Sequence, residues 1–112
     1  MGFFSALFGG NLISAQEVKD EMESGSKVIL LDVRELAEYQ QAHISGAKNA
    51  PLQSLQNYCE EKLPKKDTRI VVYCQAGGRA KSAAKLLRQL GYTNVANLGG
   101  ITNWPYGIVK EL

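Results

Sequence analysis

The chain has 112 residues, 45% of them hydrophobic, with 13 basic against 11 acidic side chains and a net charge of +2. That length suits one domain with a single core and is too short for two. No run of lysine or arginine is long enough for a nucleic-acid groove or a polybasic membrane patch, so neither partner is expected.

Residues 1–10, MGFFSALFGG, read as an apolar extension ahead of a domain spanning 11–112. Phe3, Phe4, Leu7 and Phe8 make the extension locally apolar, but it falls far short of the ~20 residues of a membrane span. These ten residues carry no lysine or arginine for a cationic n-region, and Ala6 stands where a myristoylation motif needs Ser or Thr. A frayed or packing terminus is expected, with a weak interfacial or partner contact as the alternative. Leu12 and Ile13 then suit a short strand. Ser14 with Glu17 three residues later is a capping-box signal for a helix through about Met22, and Ser24, Gly25 and Ser26 break it. Val28 to Val33 is a nearly continuous apolar run, as in a strand buried on both faces of a parallel sheet.

Glu35 to Gln41 reads as a short helix, and HISGAKNAPL as turns with a brief strand. Pro51 leads into a helix through about Lys62, with Leu52, Leu55, Tyr58 and Cys59 at helical spacing, before Pro64 and Asp67 mark a loop. Arg69 to Tyr73 is the second buried strand. The helix after it carries Ala83, Leu86, Leu87 and Leu90 on one stripe and stops at Gly91. Val95 to Leu98 is a third strand candidate, followed by Gly99 and Gly100, which read as backbone devices for a turn near the site, and by a helical turn around Ile101 to Trp104. Strands alternating with helices predict an α/β fold with a central, mainly parallel sheet covered on both faces. Ligands of such folds sit beyond the carboxyl ends of the strands. Cys74 lies at such an end.

The loop from Cys74 to the following helix carries the chemistry. Four residues, Gln75, Ala76, Gly77 and Gly78, separate Cys74 from Arg79. Two glycines let successive N–H groups converge on one point, and the helix N-terminus with Arg79 and Lys81 adds positive potential. Such a site favours a thiolate and a covalent anion on sulfur, the requirements of nucleophilic catalysis. The amides of Gln75, Ala76, Gly77, Gly78, Arg79 and Ala80 are the expected cradle, with Arg79 the cation that shapes it.

At these residues the chain resembles the rhodanese-homology family. LDVRELAEYQQAHISGAKNAPL is similar to its first signature, CQAGGRA to its six-residue active-site loop, and GYTNVANLGGITNW to its closing motif. The resemblance implies a three-layer rhodanese-like α/β fold. It also implies a sulfurtransferase whose cysteine takes a sulfane sulfur from a donor such as thiosulfate or a persulfide. The sulfur would be held as a persulfide and passed to cyanide or a thiol, including the thiol of a protein. No cofactor and no metal site are implied. Related phosphatases and arsenate reductases space cysteine and arginine by five residues, a wider cradle for a tetrahedral oxyanion, so that chemistry is disfavoured here. A noncatalytic protein-binding module is the remaining alternative. Gln75 and Ala76 stand where many thiosulfate users carry cationic or hydroxyl residues, and Ala80 where Ser or Thr is frequent. A changed donor preference is the expected consequence.

Asp32 and Arg34 end the VILLDVR strand on the same rim. Asp32 is expected to support structure by pairing with a loop N–H or a cation. For Arg34 two roles stand open, an ion pair with a residue such as Glu38 or an anion contact at the site entrance. His43, the only histidine, is expected to be structural, since sulfur transfer needs no base once the thiol is ionised. Cys59 falls on the apolar stripe of its helix and is expected in the core. Two cysteines in a chain with its own core segments are read as free thiols of a reducing, cytoplasmic setting. Trp104 is expected as a packing anchor, and the sequence leaves the oligomeric state open.

Overall fold

The computed structural model of the chain describes residues 11–110; the apolar extension lies outside them. Strands β1 (Asn11–Leu12), β2 (Ile29–Asp32), β4 (Lys48–Asn49), β5 (Ile70–Cys74) and β6 (Val95–Gly100) form a five-stranded sheet. Its order is β1-β6-β5-β2-β4, every pair parallel. The central strand, β5, is buried at all five positions. This is why Ile70, Val71 and Val72 show no polar alternation: a parallel strand between two helical layers has no solvent face.

The period of two still sorts the side chains. Ile70, Val72 and Cys74 pack with Leu55 and Cys59 of α3 (Leu55–Lys62) and with Ala80, Ala83, Ala84 and Leu87 of α4 (Gly78–Gln89). Val71 and Tyr73 face the opposite layer, where Val18 of α1 (Ala15–Glu23) and Tyr39 of α2 (Leu36–Gln41) cover the sheet. Removing each such aliphatic side chain from water contributes about 1.5–3 kcal/mol as an upper bound. The predicted capping box is present: Glu17 N–H donates to Ser14 Oγ at 3.1 Å, and Ser14 N–H to Glu17 Oε1 at 3.0 Å.

Two features depart from the sequence reading. A second, antiparallel sheet pairs β3 (His43–Ile44) with β7 (Ile108–Val109), two residues each. Segments that short, with β7 exposed, carry no periodic signal. The other is a bulge in β6: Val72 pairs with Asn97 but Tyr73 with Gly99 and Cys74 with Gly100, leaving Leu98 as an extra residue. Gly99 supplies a φ of +90°, and Asn97 Oδ1 accepts its N–H at 2.8 Å. The bulge sets Gly100 beside Cys74.

Candidate active site

Cys74 is the last residue of β5, and the chain turns over the next three residues into α4. Gly77 makes the turn at φ +116° as the N-cap of that 12-residue helix, a conformation that L side chains resist. Two amides are thereby aimed back at the thiol. Gly77 N–H donates to Cys74 Sγ at 3.0 Å and Ala80 N–H at 3.3 Å. The sulfur thus sits at the positive end of the helix dipole. Of the six loop amides expected to converge, these two reach the bare sulfur. The residue is 1% exposed, whereas Gln75, Ala76 and Gly78 form an exposed loop over it.

Gly100 supports the loop from below, and its role differs from the one expected. At φ −111° and ψ 144° its backbone is ordinary extended chain, so it is not there for turn geometry. A Cβ at this position would lie 2.6 Å from the Gln75 carbonyl oxygen and 3.1 Å from Ala76 Cα. Only a residue without a side chain lets β6 pass so close beneath the Cys74 loop.

Asp32 is fully buried and meets a cation and a loop N–H. Its Oδ1 accepts from Arg34 N–H and Nε, each at 2.9 Å, and its Oδ2 from Arg34 Nη2 at 2.6 Å. Asn49 Nδ2 holds the same corner through the carbonyls of Asp32 and Arg34, both at 3.0 Å. Arg34 continues outward, donating to Ala42 O at 2.7 Å and to Gln75 Oε1 at 3.1 Å, with its guanidinium 5.8 Å from the Tyr73 ring centre. Burial penalises that charge, and Asp32's hydrogen bonds and charge outweigh the penalty, so the guanidinium lies above its ordinary value.

The ion pair between Arg34 and Glu38 is not formed. Arg34 is turned inward and chelated by Asp32, and Glu38 pairs instead with Arg79, Nη1 to Oε1 at 2.7 Å and Nη2 to Oε2 at 3.0 Å. Glu38 Oε1 also accepts the N–H of Glu35 at 2.9 Å, which fixes the first turn of α2. The Arg79 hydrogen bonds hold the Glu38 carboxyl down at about 2. Arg79 is therefore tied across the loop mouth to α2. Glu38 is not among the site residues that the sequence reveals; its partner is 41 positions away, and no local pattern encodes that contact.

His43 is buried on β3, stacked on the Tyr39 ring at 3.7 Å between centres. Because a carbonyl only accepts, the 2.8 Å contact with Tyr39 O places a proton on Nδ1. Tyr73 Oη accepts the Ile44 N–H at 3.1 Å, joining β5 to β3. Cys59 lies in the core, where burial pushes its thiol up. Lys81 is exposed beside a shallow depression lined with Leu12, Gly77, Asn97 and Gly99.

Beside the loop opens a groove of about 510 Å³. Arg34, Glu38, Gln41 and Gln75 line it together with the apolar side chains of Ile101, Trp104, Pro105 and Ile108. Trp104 both packs on the α1 face of the core and lines this groove, its Nε1–H donating to Gly107 O at 3.1 Å. Among the described residues no helix is long and apolar enough to cross a membrane.

Residues 14–105 match the family model of the rhodanese-like domain. The thiosulfate sulfurtransferase PspE of Escherichia coli is 39% identical over 80 residues, which cover 71% of this chain and 77% of that protein. The probable adenylyltransferase/sulfurtransferase MoeZ of Mycobacterium tuberculosis is 38% identical over 85% of this chain, which spans only 24% of that relative. Among solved structures, the Alr3790 protein of Anabaena sp. superposes with a TM-score of 0.84 at 28% identity, covering 89% of this chain and 93% of that one. A family match over residues 14–105, with the Cys74 loop, the parallel sheet and the α4 N-terminus in between, places this chain in the rhodanese-like domain family.

Proposed function

We propose that the chain is a rhodanese-type sulfurtransferase in which Cys74 is the nucleophile and the carrier of the transferred sulfur. The observation that carries this reading is the placement of Cys74 Sγ under the N–H groups of Gly77 and Ala80 at the start of α4. Two fixed donors and a helix dipole stabilise negative charge on sulfur without reorganisation during reaction. The kinship with PspE, a thiosulfate sulfurtransferase, supports the same chemistry.

In the first half-reaction the Cys74 thiolate attacks the sulfane sulfur of thiosulfate or of a persulfide donor. A bond forms from Sγ to that sulfur, the bond to the carrier breaks, and the carrier leaves with the electron pair as sulfite or a thiolate. The outer sulfur of the Cys74 persulfide lies about 2 Å beyond Sγ, where amides from Gln75 to Ala80 serve as its cradle. In the second half-reaction a thiolate or cyanide attacks that outer sulfur, and the S–S bond breaks with its electron pair returning to Sγ. Both steps are displacements at sulfur, so no cofactor is required. Arg79, fixed by Glu38, closes the loop mouth, and Asp32 holds Arg34 where it grips Gln75. Four residues between Cys74 and Arg79 suit a persulfide better than a phosphoryl group.

The test is steady-state sulfur transfer to cyanide and to a thiol by the wild type and by Cys74→Ser. Loss of transfer with an unchanged circular dichroism spectrum is expected. Full activity in Cys74→Ser would remove the mechanism, and aryl phosphate turnover lost in the same variant would favour the phosphatase chemistry instead. No turnover with any sulfur donor, together with a protein partner captured with or without Cys74, would favour a binding module.

A further inference from the structure

We infer that the groove beside the Cys74 loop selects its sulfur donor: a cysteine persulfide on a polypeptide, flanked by uncharged apolar residues. The inference rests on the sulfurtransferase reading and concerns the substrate class of that same site. Size is the first observation. The groove holds about 510 Å³, while a water's share of liquid volume is about 30 Å³, so thiosulfate, an anion of five heavy atoms, leaves most of the space unfilled. A volume of this order accommodates several side chains.

Charge is the second observation. The cation in the groove lining, Arg34, is already engaged by Asp32, Ala42 O and Gln75 Oε1. Glu38, also in the lining, adds a negative charge and is itself held by Arg79. Among the described lining residues no cation is left without an acidic partner to attract a dianion. A small zwitterionic thiol would likewise bring charges to a wall that offers no ion pair. That wall is Ile101, Trp104, Pro105 and Ile108, and Ile108 is 48% exposed. Apolar side chains grouped beside a nucleophile's loop, with Gln41 and Gln75 in the same lining to meet backbone amides, match the apolar core and polar rim of a peptide-binding surface.

Gln75 connects the groove to the chemistry, because it lines the groove and is bonded to Cys74 through the chain. A segment lying against Ile108 and Trp104 therefore delivers its own persulfide next to the loop. The Cys74 thiolate takes the outer sulfur, the donor's S–S bond breaks, and the donor cysteine leaves as a thiolate. Electrons balance between the two sulfurs.

The experiment measures the rate constant for loading Cys74 from four donors side by side. They are thiosulfate, glutathione persulfide, and two peptide persulfides of equal length, with Leu and Phe or with Asp flanking the cysteine. The apolar peptide should load at least tenfold faster in kcat/KM than glutathione persulfide and the Asp-flanked peptide. Ile108→Thr, which keeps a β-branched residue in β7, should cut the apolar peptide's advantage about fivefold, the effect of losing part of one side chain's burial. Equal or faster loading from glutathione persulfide or the Asp-flanked peptide overturns the inference and leaves the sulfurtransferase reading standing. Loading of folded protein from none of the four overturns both.

Discussion

Replacing Gly100 with alanine separates two reasons for a glycine beside an active-site loop. If Gly100 served only backbone freedom, Gly100→Ala would be harmless or stabilising by about 0.4–1 kcal/mol, because φ −111° is open to alanine and the unfolded chain loses entropy. A steric clash opposes that gain and exceeds it. The new Cβ would stand 2.6 Å from Gln75 O, 3.1 Å from Ala76 Cα and 3.2 Å from Gln75 C. All three are backbone atoms and none can rotate away, so relief requires the loop to rise by about half an ångström, an overpacking that costs about 1–3 kcal/mol. The displaced segment lies between Cys74 and Gly77, whose amide holds the sulfur at 3.0 Å. Since a misplacement of about 1 Å costs about a hundredfold in rate, half that displacement should cost about tenfold. The assay is kcat/KM for sulfur transfer beside the denaturant midpoint. Gly99→Ala is the control: at φ +90° with no atom within 4 Å it carries backbone strain without pushing the loop. A Gly100→Ala protein as stable and as fast as the wild type would refute the close-approach argument.

Four other outcomes follow from the same geometry. Asp32→Ala strands the buried Arg34 charge and should cost about 3–5 kcal/mol in urea unfolding; a loss below about 1 kcal/mol would contradict the buried pair. Glu38→Gln should cost about 1 kcal/mol once solvent screening of a pair about one-third exposed is allowed for. Because the folded Glu38 carboxyl is lowered from 4.5 to about 2, that contribution is complete above pH 4.5 and is lost as the pH falls through about 2. The stability gap between wild type and Glu38→Gln should therefore be flat from pH 7 to pH 5 and shrink below it; a gap that widens on acidification would reverse the sign. Cys59→Ala should lower stability by about 1–2 kcal/mol while leaving sulfur transfer unchanged, and lost transfer would give Cys59 a role that its core position does not suggest.

The frame of the molecule is legible because burial leaves a direct imprint on sequence. Apart from Asp32 and Arg69, residues 28–33 and 69–73 are apolar without alternation, as strands covered on both faces must be, and the structure places β2 and β5 there. Ser14 and Glu17 announce α1 because a capping box is a contact between residues three apart. Cys74 stands out because strand, glycine turn and helix are contiguous in the chain. What sequence hides depends on contacts between distant residues. Nearness along the chain pairs Glu38 with Arg34, yet a buried carboxylate two residues before Arg34 wins that guanidinium and leaves Glu38 to Arg79. Gly100 reads as a turn residue because a close approach to another strand's loop looks the same in sequence as a need for positive φ. The ribbon of β3 and β7 is too short to show a period.

The central claim is that Cys74 itself carries the sulfur. Intact-mass measurement with peptide mapping after brief exposure to a sulfane sulfur donor, and again after addition of a thiol acceptor, tests it most directly. The predicted result is a gain of one sulfur atom on the peptide containing Cys74, absent in Cys74→Ser and discharged by the acceptor. Sulfur transfer in the wild type with no added sulfur on Cys74 at any stage, or with the added sulfur on Cys59, would contradict it.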